Sequence, residues 1–142
     1  LLEELIALSS QRAKYGNITI KSDFQENLPA VMVSQSEMQQ VFLNLINNSI
    51  DAMEKRGGEI VLRTRLEENH VVVDVSDNGP GIARANLGRI FDPFFTTKQT
   101  GKGTGLGLSL VKNIIEAHKG KIWVKSKVGS GSTFSFTIPQ TG

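Results

Sequence analysis

Apolar residues recur at helical spacing in two long stretches of the chain and alternate with polar residues in several short ones. Met38, Val41, Phe42, Leu45, Ile46 and Met53 define the longer helix. Ser34 or Ser36 caps it, it runs to about residue 56, and Gly57-Gly58 ends it. Leu106, Leu110, Val111, Ile114 and Ile115 define a second helix over 106–118, with Gly120 just past its end. Residues 1–14 share the helical spacing through Leu1, Leu5 and Leu8, and read as the end of a longer helix. Strands are expected over 17–24, with Ile18 and Ile20 inward, and over 30–33 after Pro29. Residues 59–67 and 70–76 form a hairpin turned at Glu68-Asn69. A short helix is expected over 84–90, and strands 121–126 and 132–138 pair around Gly129-Ser130-Gly131. The pattern predicts an α+β two-layer sandwich: a mixed, largely antiparallel sheet of about five strands, covered on one face by helices.

Composition narrows the chemistry. The 142 residues fit one domain with one core. There is no cysteine, which excludes disulfides, thiolate zinc and thiol catalysis, and two histidines make a histidine metal site a poor fit. The net charge is only +2, and Lys112, Lys119, Lys121, Lys125 and Lys127 are scattered without interleaved aromatics, so no nucleic-acid partner is expected. No apolar run approaches a membrane span, so direct membrane contact is not expected either. The chain opens at Leu1 rather than Met, which points to a piece of a longer protein.

Three polar constellations interrupt this pattern. Asn44, Asn48 and Asp51 form one stripe on the long helix, beside the apolar arc of Val41, Leu45 and Ala52. Asparagine is a mediocre helix former, and Asn44, Asn47 and Asn48 crowd five positions. A polar edge explains one such residue; three favour function, since an amide oxygen is a hard neutral ligand suited to Mg²⁺. Asp77 ends a strand and is followed by Asn78-Gly79-Pro80-Gly81. A carboxylate there can accept a hydrogen bond from an exocyclic amine such as that of adenine, and the glycines admit a flat base; the same residues also make an ordinary turn. Gly101-Lys102-Gly103-Thr104-Gly105-Leu106-Gly107-Leu108 runs into a helix start, where backbone amides and the lysines Lys98 and Lys102 favour an anion. It matches neither the P-loop nor the dinucleotide fingerprint.

In this order the segments resemble the sensor histidine kinases. Residues 40–53 are similar to their N box, 77–81 to the first glycine box, 90–98 to the F box, 103–108 to the second glycine box, and 129–134 to the closing Gly-Thr segment. Asp51-Ala52-Met53 and Phe94-Phe95-Thr96-Thr97-Lys98 look most like the nitrogen-regulation type. The resemblance implies the Bergerat-type ATP-binding fold shared with gyrase, MutL and heat-shock chaperone ATPases, with ATP or ADP and Mg²⁺ as ligands. It implies Asn48 on the metal, Asp77 on the adenine amine, and Gly79 and Gly81 lining the base. Residues of about 91–104 form the lid, and Lys98 with the backbone of 103–108 holds the phosphates. Thr133 supports Asp77. Asn44, Asp51, Ala52, Ile82, Phe91 and Lys102 complete the nucleotide surroundings, and catalytic roles fall to Asn44, Asn48 and Lys98. Many members carry Lys or Arg where this chain has Asp51, which shifts that phosphate contact to Lys98 or Lys102.

The superfamily includes hydrolases and kinases. The hydrolases carry Glu four residues before the Mg²⁺ asparagine, where this chain has Asn44, which cannot take a proton as a carboxylate does. Phosphoryl transfer to a supplied nucleophile is therefore expected, with positioning and charge stabilisation as the means. Neither His70, followed by valines, nor His118, followed by Lys119-Gly120, fits a phosphoacceptor. The resemblance implies an acceptor histidine on a separate helical hairpin of the same parent, a cytoplasmic location for this piece whether the parent is soluble or membrane-anchored, a homodimeric parent, a monomeric catalytic piece, and a response regulator downstream. The alternatives are an ATP hydrolase, a Ser-directed kinase, or a nucleotide-binding interaction module without catalysis.

Overall fold

The computed structural model describes residues 18–25, 33–53, 57–93 and 107–139. The expected helix over 1–14 and most of the expected lid lie outside them. In chain order the elements are β1 (Ile18–Phe24), α1 (Gln35–Met53), β2 (Gly58–Glu67), β3 (His70–Asp77), α2 (Arg84–Leu87), α3 (Gly107–Ala117), β4 (Ile122–Lys127) and β5 (Gly131–Pro139). The sheet has five strands in the order β1-β2-β3-β5-β4. β1 joins β2 in parallel, as the intervening helix requires, and every other pair is antiparallel.

Strand alternation sets the two faces. Ile60, Leu62, Val71, Val73, Val75, Phe134, Phe136 and Ile138 join Val41, Phe42, Leu45, Ile46 and Met53 of α1 and Val111, Ile114 and Ile115 of α3 in one core. Phe42 meets Phe136 edge-on, with ring centroids 5.5 Å apart. The other face is polar over its first strands: Arg65 bridges Asp74 at 3.3 Å and also pairs with Glu67, and Ser135 donates to Asp74 at 2.6 Å.

The element limits follow local chemistry. Ser34 caps α1, its hydroxyl accepting the Glu37 N–H at 3.3 Å. Gly57, at φ 73°, donates to the Met53 carbonyl at 2.8 Å and turns the chain into β2. Val33 packs on the core but is not in a strand, and the rest of the expected 30–33 strand lies outside the described residues. The short helix stops at Leu87 rather than 90, because three-residue turns take over (Arg89 N–H to Asn86 O, Asp92 N–H to Arg89 O, both 2.9 Å). At the end of α3 the left-handed residue is Lys119 (φ 64°), not Gly120. Gly120 is needed for a different reason: a Cβ there would run into the Thr137 carbonyl of β5.

Candidate nucleotide-binding site

Asp77 closes β3 on the helix-facing side, in register with Ile60 and Ser132. Its carboxylate is held twice. Oδ2 accepts from the Ser49 hydroxyl at 3.0 Å and Oδ1 from the Gly79 N–H at 3.0 Å. Ser49 is fully buried on α1. An ionised carboxylate has about four lone-pair sites, so two protein donors leave room for a ligand amine.

The turn after Asp77 is tied on three sides. Asn78 accepts the Glu59 N–H at 2.8 Å, the Pro80 carbonyl accepts the Gly129 N–H at 2.8 Å, and Ile82 N–H donates to Ser126 Oγ at 2.7 Å. Ser126 gives its own proton to the Gly131 carbonyl at 2.9 Å and lies 2.8 Å from Ser132 Oγ. The glycines serve this packing. A Cβ on Gly79 would stand 3.0 Å from both Asp77 Oδ1 and Met53 Cγ. Gly81 has φ 79°, and a Cβ there would strike the Lys127 carbonyl. Room for a base explains neither as directly as these protein contacts do.

On α1 the asparagine stripe forms as the spacing requires. Asn44 donates through Nδ2 to the Gln40 carbonyl at 2.9 Å. Its Oδ1 faces the start of α3, 3.1 Å from where a Cβ on Gly107 would be, so glycine lets α3 begin beside it. Asn48 is half-buried and has no hydrogen-bond partner among the described residues. Asp51 is half-buried and Ala52 exposed on the same side. Leu108 and Ile82 pack on the core, and Phe91 stands edge-on to Phe134 with centroids 6.2 Å apart. Lys98, Lys102, Gly103, Thr104, Gly105 and Leu106 lie outside the described residues.

Thr133 is a correction. It pairs with Ser76, hydroxyl to hydroxyl at 2.8 Å, on the sheet face opposite Asp77. A strand reverses its side chains every residue, so the residue on the Asp77 side is Ser132. Sequence reading missed Ser132, Ser126 and Ser49. Ser49 had a signal, as a polar residue among the apolar positions Leu45, Ile46 and Met53; Ser126 had none. A concavity of about 280 Å³ between Trp123, Val72 and His70 lies on the other face of the sheet and takes no part in this site.

Residues 33–142 match the family model of histidine kinase-, DNA gyrase B-, and HSP90-like ATPases. The chain belongs to this ATPase family. Among curated relatives of this ATPase domain, sporulation kinase E of Bacillus subtilis is 34% identical over 98% of this chain and 19% of its own length. The chain thus spans about a fifth of that relative. Among solved structures, the nucleotide-free catalytic domain of histidine kinase ThkA superposes with TM-score 0.85 at 34% identity, covering 99% of this chain and 90% of that one. Full-length ShkA in complex with AMPPNP gives TM-score 0.87 at 30% identity, over 97% of this chain and 29% of that one. The ATPase fold anticipated from the sequence, a mixed five-stranded sheet under helices, is the fold observed.

Proposed function

We propose that this ATPase domain binds Mg²⁺-ATP and directs its γ-phosphoryl group to a histidine on a separate helical-hairpin domain of the same parent. The observation that carries the reading is the pairing of two adjacent α1 residues. Ser49 holds the Asp77 carboxylate at 3.0 Å, while Asn48 leaves its amide unpartnered among the described residues. One helix thereby fixes a base anchor and a metal ligand at a set separation. The chemistry fits: Asp77 keeps acceptor capacity for the adenine amine, and the Asn48 oxygen is a hard neutral donor. The AMPPNP bound to ShkA supports a triphosphate nucleotide as the ligand.

In this reading Gly79, Gly81, Ile82 and Phe91 border the base, with Ser132 behind Asp77. Asn44, Asp51 and Ala52 line the helix side, and Gly107 and Leu108 open the phosphate side. Lys98, Lys102 and the backbone of 103–106 supply the remaining phosphate contacts from the lid. Bound Mg²⁺-ATP supplies the phosphoryl group and the charge-neutralising cation. The protein's own share is to orient and to hold back water attack, and Asn44 contributes by offering no carboxylate base. The parent is a homodimeric kinase acting in the cytoplasm on a response regulator. Among the described residues no helix is long and apolar enough to cross a membrane.

Two substitutions test the assignment. Asp77→Asn weakens binding of AMPPNP with and without Mg²⁺, whereas Asn48→Ala removes mainly the Mg²⁺-dependent part, each by about tenfold or more. Equal Mg²⁺ effects in wild type and Asn48→Ala refute the metal ligand. Labelled ATP incubated with the chain and the parent's hairpin should label a histidine. Steady phosphate release without acceptor, and no label on the hairpin, would favour a hydrolase instead.

A further inference from the structure

His118 joins two helices through both ring nitrogens. Its Nε2 lies 3.1 Å from the backbone nitrogen of Ser34, and its Nδ1 lies 2.8 Å from the Ile114 carbonyl. A backbone N–H can only donate and a carbonyl can only accept. The two contacts therefore fit one form of the ring: neutral, with the proton on Nδ1 and the lone pair on Nε2. Ser34 is the cap of α1, and its N–H precedes the helix's first hydrogen bonds, so the histidine fixes the residue that starts the helix.

The consequence reaches the far end of the same helix pair. Ser34 to Asn44 spans about 15 Å of α1, and Gly107 to His118 spans about 16 Å of α3, at the usual helical rise. The two helices pack on each other and run antiparallel, with Asn44 against Gly107 at one end and Ser34 against His118 at the other. The pair is hydrogen-bonded at the His118 end and in close approach where Asn44 meets Gly107.

We propose that His118 is a positioning residue for the nucleotide site: in its neutral Nδ1–H form it clamps the start of α1 to the end of α3. The clamp fixes where Asn48 stands relative to the start of α3. A proton added at Nε2 removes the acceptor and sets two donors face to face, which opens the clamp. Among the described residues, the charged groups within three positions of Ser34 or His118 on the elements that make these two contacts are Glu37 in the first turn of α1 and Glu116, Lys119 and Lys121 on the histidine's own segment, all exposed. Neither ring contact is made to any of them.

Only the ligand arm of the test rests on the function proposed above. Ring ¹⁵N–¹H correlation spectra of the full chain at neutral pH should show His118 protonated at Nδ1 and bare at Nε2. The opposite tautomer, or a cation, overturns the clamp. His118→Gln keeps an acceptor near Nε2 and His118→Leu keeps bulk without one. Relative to wild type, His118→Leu should speed amide exchange at Ser34 and weaken Mg²⁺-AMPPNP binding about fivefold, with His118→Gln within about twofold on both. Wild-type Ser34 protection and AMPPNP affinity in His118→Leu overturn the proposal. Should AMPPNP bind to no variant, wild type included, the nucleotide reading fails, while tautomer and Ser34 exchange still decide the clamp.

Discussion

Ser132 and Thr133 are neighbours in sequence and lie on opposite faces of β5, so two alanine substitutions separate their duties. Ser132→Ala removes a buried hydroxyl 2.8 Å from Ser126, the side chain that anchors the turn after Asp77. It should weaken nucleotide binding severalfold and lower stability by about 1 kcal/mol. Thr133→Ala breaks only the 2.8 Å contact with Ser76 on the far face, and should leave affinity within about twofold of wild type. Titration calorimetry with AMPPNP and urea unfolding check both. The placing of Asp77 at a strand end and of Asn44 and Asn48 along one helix was legible in the sequence, because periodicity alone sets it. Ser132 was not, since the parity of a strand is fixed only by its partner, here the Asp77–Ser132 register. Ser126 reaches the turn through a contact 44 residues apart in sequence, which no local pattern encodes.

Glycines show the same contrast at the level of elements. Gly120 joins α3 to β4 where the Thr137 carbonyl leaves no space for a Cβ, whereas Gly88, after α2, has nothing within 4 Å of that position. Gly120→Ala should cost more than about 2 kcal/mol by forcing α3 from the sheet, and Gly88→Ala should be neutral to about 0.5 kcal/mol. Thermal unfolding of the two variants side by side decides it. Helix α1 was readable over most of its length, because one apolar stripe and a serine cap suffice to define it. The glycines beyond the helices were readable as turn residues but not by cause. Lys119 takes the left-handed conformation that Gly120 was expected to supply, and Gly81 is held by the Lys127 carbonyl.

At the scale of the whole molecule, the sheet and the helix pair share one core, and its largest buried side chains sit on β5. Phe136→Ala should cost about 3–5 kcal/mol, since it empties the contact with Phe42 beneath α1. Arg65→Ala on the outer face should cost about 1 kcal/mol, since its pair with Glu67 is open to solvent and the half-buried Asp74 keeps the Ser135 hydroxyl as a donor. Urea midpoints measure both. Hairpins were legible from their turns, but the insertion of β5 between β3 and β4, and the parallel seat of β1, depend on pairings remote in sequence. That strand order has an evolutionary corollary. Because β3 and β5 are bonded side by side, the chain between Asp77 and Gly131 is a loop already closed at its base. Closure entropy rises only with the logarithm of loop length, so a dozen residues inserted between 94 and 106 would tax stability by less than about 1 kcal/mol. Descendants of this sheet can therefore rewrite the segment between 94 and 106, in length and in charge, while the scaffold that carries Asp77 and Asn48 stays under its own selection.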